Sequence, residues 1–169
     1  MIANASRAAA LSLVLVSSLC GCGSAPPPVA EKPFETPLKQ TSPADVCLAT
    51  AAAKREKKPN EPQKITAKHV LVKYAGAKKA DASVKRTREE ACLRAMEARD
   101  KVRGGEDFGK VVAAYSEEPG AATREGSVGG FERGMMAPPF EDAAFELDVN
   151  QLSDVVETDF GFHVILRTQ

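Results

Sequence analysis

Two histidines, His69 and His163, are the only imidazoles in the 169-residue chain, and each stands inside an apolar run, His69-Val70-Leu71-Val72 and Phe162-His163-Val164-Ile165-Leu166. Two imidazoles are too few for a multi-histidine metal cage. The four cysteines, Cys20, Cys22, Cys47 and Cys92, lack the paired spacing of a zinc site, so no metal is expected, and the reading reached below needs no other cofactor. Met136 and Phe140 could wall an apolar slot. Taken alone, they and the two histidines read more readily as plain core than as a site. Adjacent carboxylates, Glu117 and Glu118, fall in a polar loop just after Ser116, and Lys73, Lys78 and Lys79 cluster in another.

The 23 Lys+Arg balance 23 Asp+Glu, which argues against a polyanion binder and hence against nucleic acid. The charges are unevenly placed. Residues 54–88 hold twelve basic side chains against three acidic ones, and residues 89–169 hold eight against seventeen. The chain is therefore expected to be a dipole with a basic N-terminal flank, most of it solvated surface. With seven Phe, two Tyr and no Trp, the core must be mainly aliphatic.

Residues 1–21 read as a signal peptide rather than fold. Arg7 is followed by an apolar run from Ala8 to Val16, too short to span a bilayer but suited to secretion. Leu19-Cys20-Gly21-Cys22 resembles a bacterial lipobox, which implies lipid on Cys22 and anchorage in the cell envelope. Gly23, where some lipoproteins carry Asp, favours onward transport to an outer membrane facing the periplasm if the cell has one. The alternative is an ordinary secreted chain. Residues 22–62 read as a linker, with prolines at 26, 27, 28, 33, 37 and 43 favouring extended chain. A short helix within 44–56 is expected. An oxidising envelope would permit a Cys47–Cys92 bridge, stapling that helix to the domain; two separate half-buried thiols are the alternative.

Residues 63–169 carry the dense structure. A strand is expected over Ile65–Tyr74, then a polar loop to Ser83. Thr87-Arg88-Glu89-Glu90 fits a capping box opening a helix with Ala91, Ala95, Ala98 and Val102 on one face, stopped by Gly104-Gly105. Phe108, Val111, Val112 and Tyr115 mark a second helix. Val128–Phe131 reads as a short strand, Pro139–Leu147 as a third helix with proline in its first turn, and Val155-Val156 and Phe162–Leu166 as two strands around an Asp159-Phe160-Gly161 turn. The order β-α-α-β-α-β-β implies an α+β sheet with helices packed against it.

On these motifs the chain resembles the parvulin-type peptidyl-prolyl cis/trans isomerases (rotamases). His69-Val-Leu-Val-Lys73 is similar to that family's opening strand. Gly126-Ser-Val-Gly-Gly-Phe131, Arg133-Gly134, Met136 and Pro139-Phe140-Glu141-Asp142-Ala143 are similar to its central signature. Thr158-Asp-Phe-Gly-Phe-His163-Val-Ile-Leu is similar to its closing strand. The resemblance implies a parvulin-like, FKBP-like fold, a four-stranded antiparallel sheet surrounded by helices, and catalysis of rotation about X-Pro amides. Such a site must favour the twisted amide over either planar isomer. It implies a proline pocket from Met136, Phe140 and Val128, and a network of His69, His163 and Thr158 with Ser116 at the start of the active-site loop. A carboxylate, Glu118 or else Glu117, falls where other members carry Cys or an acid. Beside an apolar slot its pKa is expected to rise by desolvation. Lys73, Lys78 and Lys79 match basic positions that could bind an acidic residue before proline.

The expectation is thus a lipid-anchored, monomeric prolyl isomerase acting on proline-containing polypeptide clients, secreted or outer-membrane. The alternative is a non-catalytic peptide-binding chaperone module of the same fold.

Overall fold

The computed structural model describes residues 41–169. The signal run, Cys22 and the prolines up to Pro37 lie outside the described residues. Eight elements follow in order: α1 (Pro43–Ala51), β1 (Lys64–Val72), α2 (Arg88–Arg103), α3 (Phe108–Tyr115), β2 (Ser127–Glu132), α4 (Pro138–Glu146), β3 (Val156–Thr158) and β4 (Gly161–Arg167).

Local chemistry sets the helix ends. Ser42 and Thr87 each accept from the backbone three residues on, while Asp45 and Glu90 reach back to close capping boxes on α1 and α2. The Asp107 side chain accepts from Lys110 N–H at the start of α3. Prolines occupy the first turns of α1 and α4, where no N–H is needed.

All four strands pair antiparallel in the order β2-β1-β4-β3, which leaves β2 and β3 as edges. Strand alternation then sorts the core into two faces. Val70, Val72, Phe162 and Val164 face one way and pack with Ala91, Cys92, Ala95, Ala98, Val111 and Val112 of α2 and α3. The alanine stripe of α2 lets that helix lie close on the sheet. Ile65, Ala67 and Ile165 face the other way and pack with Phe131 and with Phe140, Ala143, Ala144 and Phe145 of α4. His69 and Leu71 continue this second face beyond Ala67, as His163 does beyond Ile165.

α1 belongs to the first core: Cys47 and Ala51 are buried in it, and Cys47 is disulfide-bonded to Cys92. Of the two states open in the sequence, the structure has the bridged one. Ion pairs then tie the connecting segment to the end of α4, the loop after it and the turn before it, Arg55 to Glu146, Lys58 to Asp148 and Glu61 to Arg133.

Two strand ends lie two residues from expectation, while β2, α4 and β4 differ by a single residue at each end. β1 stops at Val72, and Tyr74 turns to lie 5.8 Å from the Phe162 ring. β3 starts at Val156 and runs to Thr158, because Gly161 closes the hairpin opposite Thr158. Gly161 has φ +133° there, and a Cβ would fall 2.4 Å from Val72 O, so glycine is required on both counts.

Candidate active site

The two histidines come from adjacent central strands. β1 and β4 pair His69 with Ile165 and Leu71 with His163, a two-residue offset that puts both imidazoles side by side on the α4 face. Their Nδ1 atoms are 3.1 Å apart and their ring planes lie within 12°. Phe140 of α4 sets its ring edge-to-face against both, with centroids 5.4 Å from His69 and 5.3 Å from His163. Glycine is needed beside them too. Gly126 has φ +74°, its carbonyl accepts from His69 N–H at 2.8 Å, and a Cβ would meet His69 O at 2.4 Å.

A directed chain of hydrogen bonds threads the imidazoles. Phe160 N–H donates to Thr158 Oγ1 at 3.1 Å, and Thr158 Oγ1 is 2.8 Å from His163 Nε2. At the far end His69 Nε2 lies 2.9 Å from Glu118 Oε2. Glu118 is an anion, so His69 Nε2 carries the proton and donates to it. With His69 Nδ1 as the acceptor, His163 Nδ1–H donates to it and His163 Nε2 accepts from the Thr158 hydroxyl. This assignment, made from the network, satisfies every ring nitrogen. Burial holds the His163 pKa well below the usual 6.5, and the neighbouring His69 adds to the shift.

The loop carboxylate is Glu118. Its bond from His69 and the nearby Arg124 guanidinium, itself paired to Glu118, pull its pKa from 4.5 down to about 2 against opposing desolvation. The desolvation shift expected from sequence is thus reversed: hydrogen bonding and charge outweigh burial, because the side chain keeps 30% of its surface in solvent. Glu117 serves the framework. It accepts from Lys73 N–H at 2.7 Å and from Arg86 Nη1 at 2.5 Å.

These groups floor one end of a hollow of about 390 Å³ lined by His69, His163, Thr158, Glu118, Val128, Met136 and Phe140 together with Leu71, Lys73, Lys79, Pro119, Ala137 and Phe160. Val128 reaches it through a bulge. Ala67 pairs with Gly129 and Lys68 with Ser127, so Val128 is the extra residue between them. Met136 is positioned by buried Glu141, whose two oxygens accept from Met136 N–H at 2.7 Å and Gly134 N–H at 3.0 Å.

The remaining residues are placed differently. Ser116 does not line the hollow; its hydroxyl accepts from Leu71 N–H at 3.2 Å and pins α3 to β1. Lys73 is buried, and its ammonium donates to Lys79 O at 2.9 Å. Lys79 lines the hollow, whereas Lys78 sits over the Phe160 ring at 5.2 Å without lining it. Sequence reasoning missed Leu71, Pro119, Ala137, Phe160 and the ion-pair partner Arg124. Of these, Leu71 was within reach, since alternation from His69 points it the same way.

The fold agrees with known proteins. The family model described as "PPIC-type PPIASE domain" matches residues 51–168. The foldase protein PrsA of a Geobacillus strain is 41% identical over 109 residues, covering 64% of this chain and 33% of that protein. The peptidyl-prolyl cis-trans isomerase pin1 of Rhizopus delemar is 35% identical over 112 residues, covering 64% of this chain and 75% of that protein. The solved structure of the peptidyl-prolyl isomerase ESS1 from Candida albicans superposes with a TM-score of 0.60 at 30% identity, covering 65% of each chain. The chain spans only about a fifth to under half the length of the foldases it matches. The matched segment runs through every strand and helix from β1 to β4, and the chain belongs to the PPIC-type, or parvulin, family of peptidyl-prolyl isomerase domains.

Proposed function

We propose that the chain catalyses cis/trans isomerisation of X-Pro bonds in polypeptide clients and so assists their folding. The observation that carries this is the hollow itself, apolar on the Val128, Met136 and Phe140 side and polar along Glu118, His69, His163 and Thr158. A proline ring seated against Met136 and Phe140 would gain roughly 25 cal/mol per Å² of apolar surface buried. The scissile property is only resonance: the barrier near 20 kcal/mol comes from the partial double bond, and no covalent bond breaks. Resonance places negative charge on the amide oxygen. An ionised Glu118 at the rim disfavours that charge and therefore favours the twisted amide, in which it is lost. The linked imidazoles hold Glu118 in place and fix the floor on which the ring sits.

The direct test is exchange of a proline tetrapeptide by the full chain, with Met136→Ala and Phe140→Ala weakening turnover. Peptide binding without acceleration would select a non-catalytic chaperone module instead. Lys79 and its neighbours support a preference for an acidic residue before proline. Lys79→Ala should then cost more on Glu-Pro than on Ala-Pro, and equal losses would remove the preference.

The working place we propose is the cell envelope, with Cys22 lipidated. The apolar run before Leu19–Cys22 supports this, and so does the Cys47–Cys92 bridge, which suits an oxidising compartment. Cys22→Ala should release the protein from the membrane fraction; unchanged fractionation would remove the anchor.

A further inference from the structure

A second depression, about 550 Å³, runs along the free edge of β3. One wall is the end of α1 and the residues after it, Ala51 to Arg55. The other is Ala137, Pro138 and Pro139 at the start of α4. Two of its lining residues, Ala137 and Thr158, also line the hollow, so the two depressions adjoin. Arg55, at the groove's border, is tied to Glu146 at 2.8 Å.

The floor has unused backbone. β3 is the last strand of the sheet. Thr158 pairs with Gly161 across a two-residue turn, Glu157 with Phe162 and Val156 with His163. Antiparallel parity makes the first and third of these the hydrogen-bonded pairs. The Glu157 N–H and C=O therefore point away from β4, to the open edge. The Glu157 carboxylate is engaged on Arg88 at 2.5 Å, which leaves its backbone as the group facing the groove.

We propose that this groove binds the client residues flanking the proline as an added, extended strand on β3. The proposal rests on the isomerase reading and extends it from a single ring-binding hollow to a strand-binding track. Strand addition takes its affinity from main-chain hydrogen bonds and is tolerant of sequence. That suits a groove whose walls are alanines, prolines and Tyr74 with charges of both signs at the margin. It also gives the disulfide a role. The bridge fixes α1, whose C-terminal end is one wall.

The test compares the tetrapeptide with the same core extended by about four residues at each end, enough to span β3. For the full chain, KM for the extended peptide should be about tenfold lower, the size that two added backbone hydrogen bonds give. The Glu157 amide should exchange its hydrogen more slowly with the extended peptide bound than with the tetrapeptide. Glu157→Pro removes the outward N–H without touching the β4 ladder and should abolish the KM ratio. Glu157→Gln keeps the N–H and should keep the ratio. Should Glu157→Pro fail to fold, Ala53→Trp, which fills the groove from an exposed position, should abolish the ratio in its place. Equal KM for the two peptides, or unchanged Glu157 exchange, overturns the proposal. Tighter binding of the extended peptide with no turnover of either removes the isomerase reading and leaves the groove standing.

Discussion

Glu118→Gln is the substitution that most directly tests the electrostatics of the hollow. The carboxyl is held at about 2 against an ordinary 4.5. A depressed native pKa contributes stability that is fully present above the unfolded value and is lost as pH falls from 4.5 toward 2. In a fully buried group the gap would be worth about 3 kcal/mol. The side chain is 30% exposed, so screening reduces this to about 1–2 kcal/mol. The assay is the urea midpoint of wild type and variant near pH 7 and at about pH 3. The wild type should hold an advantage near pH 7 that shrinks by about 1 kcal/mol at about pH 3, where the native carboxyl is still largely ionised. The same substitution keeps a neutral acceptor for His69 Nε2–H but removes the charge at the rim. Turnover of a proline tetrapeptide should then fall about tenfold in kcat with KM little changed, since that ratio corresponds to about 1.4 kcal/mol. Parallel loss of stability in both proteins on acidification would refute the depressed carboxyl. An unchanged kcat would refute its part in the twist.

Three further outcomes follow from the same geometry. Reducing the Cys47–Cys92 bridge, which closes a separation of 45 residues, should lower stability by up to about 4 kcal/mol in the chain-entropy account, read as a shifted urea midpoint with and without reductant. Glu141→Gln leaves one acceptor for the Gly134 and Met136 N–H groups; tetrapeptide KM should rise through the loosened Met136 with kcat nearly kept, and an unchanged KM would remove Glu141 as a positioning residue. Thr158→Val leaves Phe160 N–H and His163 Nε2 without their shared hydroxyl and should cost about 1–3 kcal/mol, largely restored by Thr158→Ser. Equal losses in both variants would mean that the fold does not rely on the hydroxyl.

Much of this arrangement was legible in residue order. The capping boxes, the alanine stripe of α2 and the alternation around His69 and His163 are local patterns, and each reports which face an atom must take. The ordered motifs of a known family named Val128, Met136, Phe140, Thr158 and both histidines, and all of them line one hollow. Motif position alone was weaker for Ser116 and Lys73, whose polar ends are taken up by Leu71 N–H and Lys79 O. A motif carries the site of a side chain in the chain but not the partner that will claim it.

By itself, then, the chain determined its elements, their faces and the apolar half of the hollow, because periodicity and caps act over a few residues. Tertiary structure alone decided which of two neighbouring carboxylates meets His69, that this carboxylate stays ionised, that Cys47 finds Cys92, and that β3 is left with an open edge. Each of those outcomes depends on groups brought together from distant positions, and on whether an opposing charge or water is left beside them. Charge, burial and strand order are properties of the assembled neighbourhood, and no stretch of sequence contains that neighbourhood.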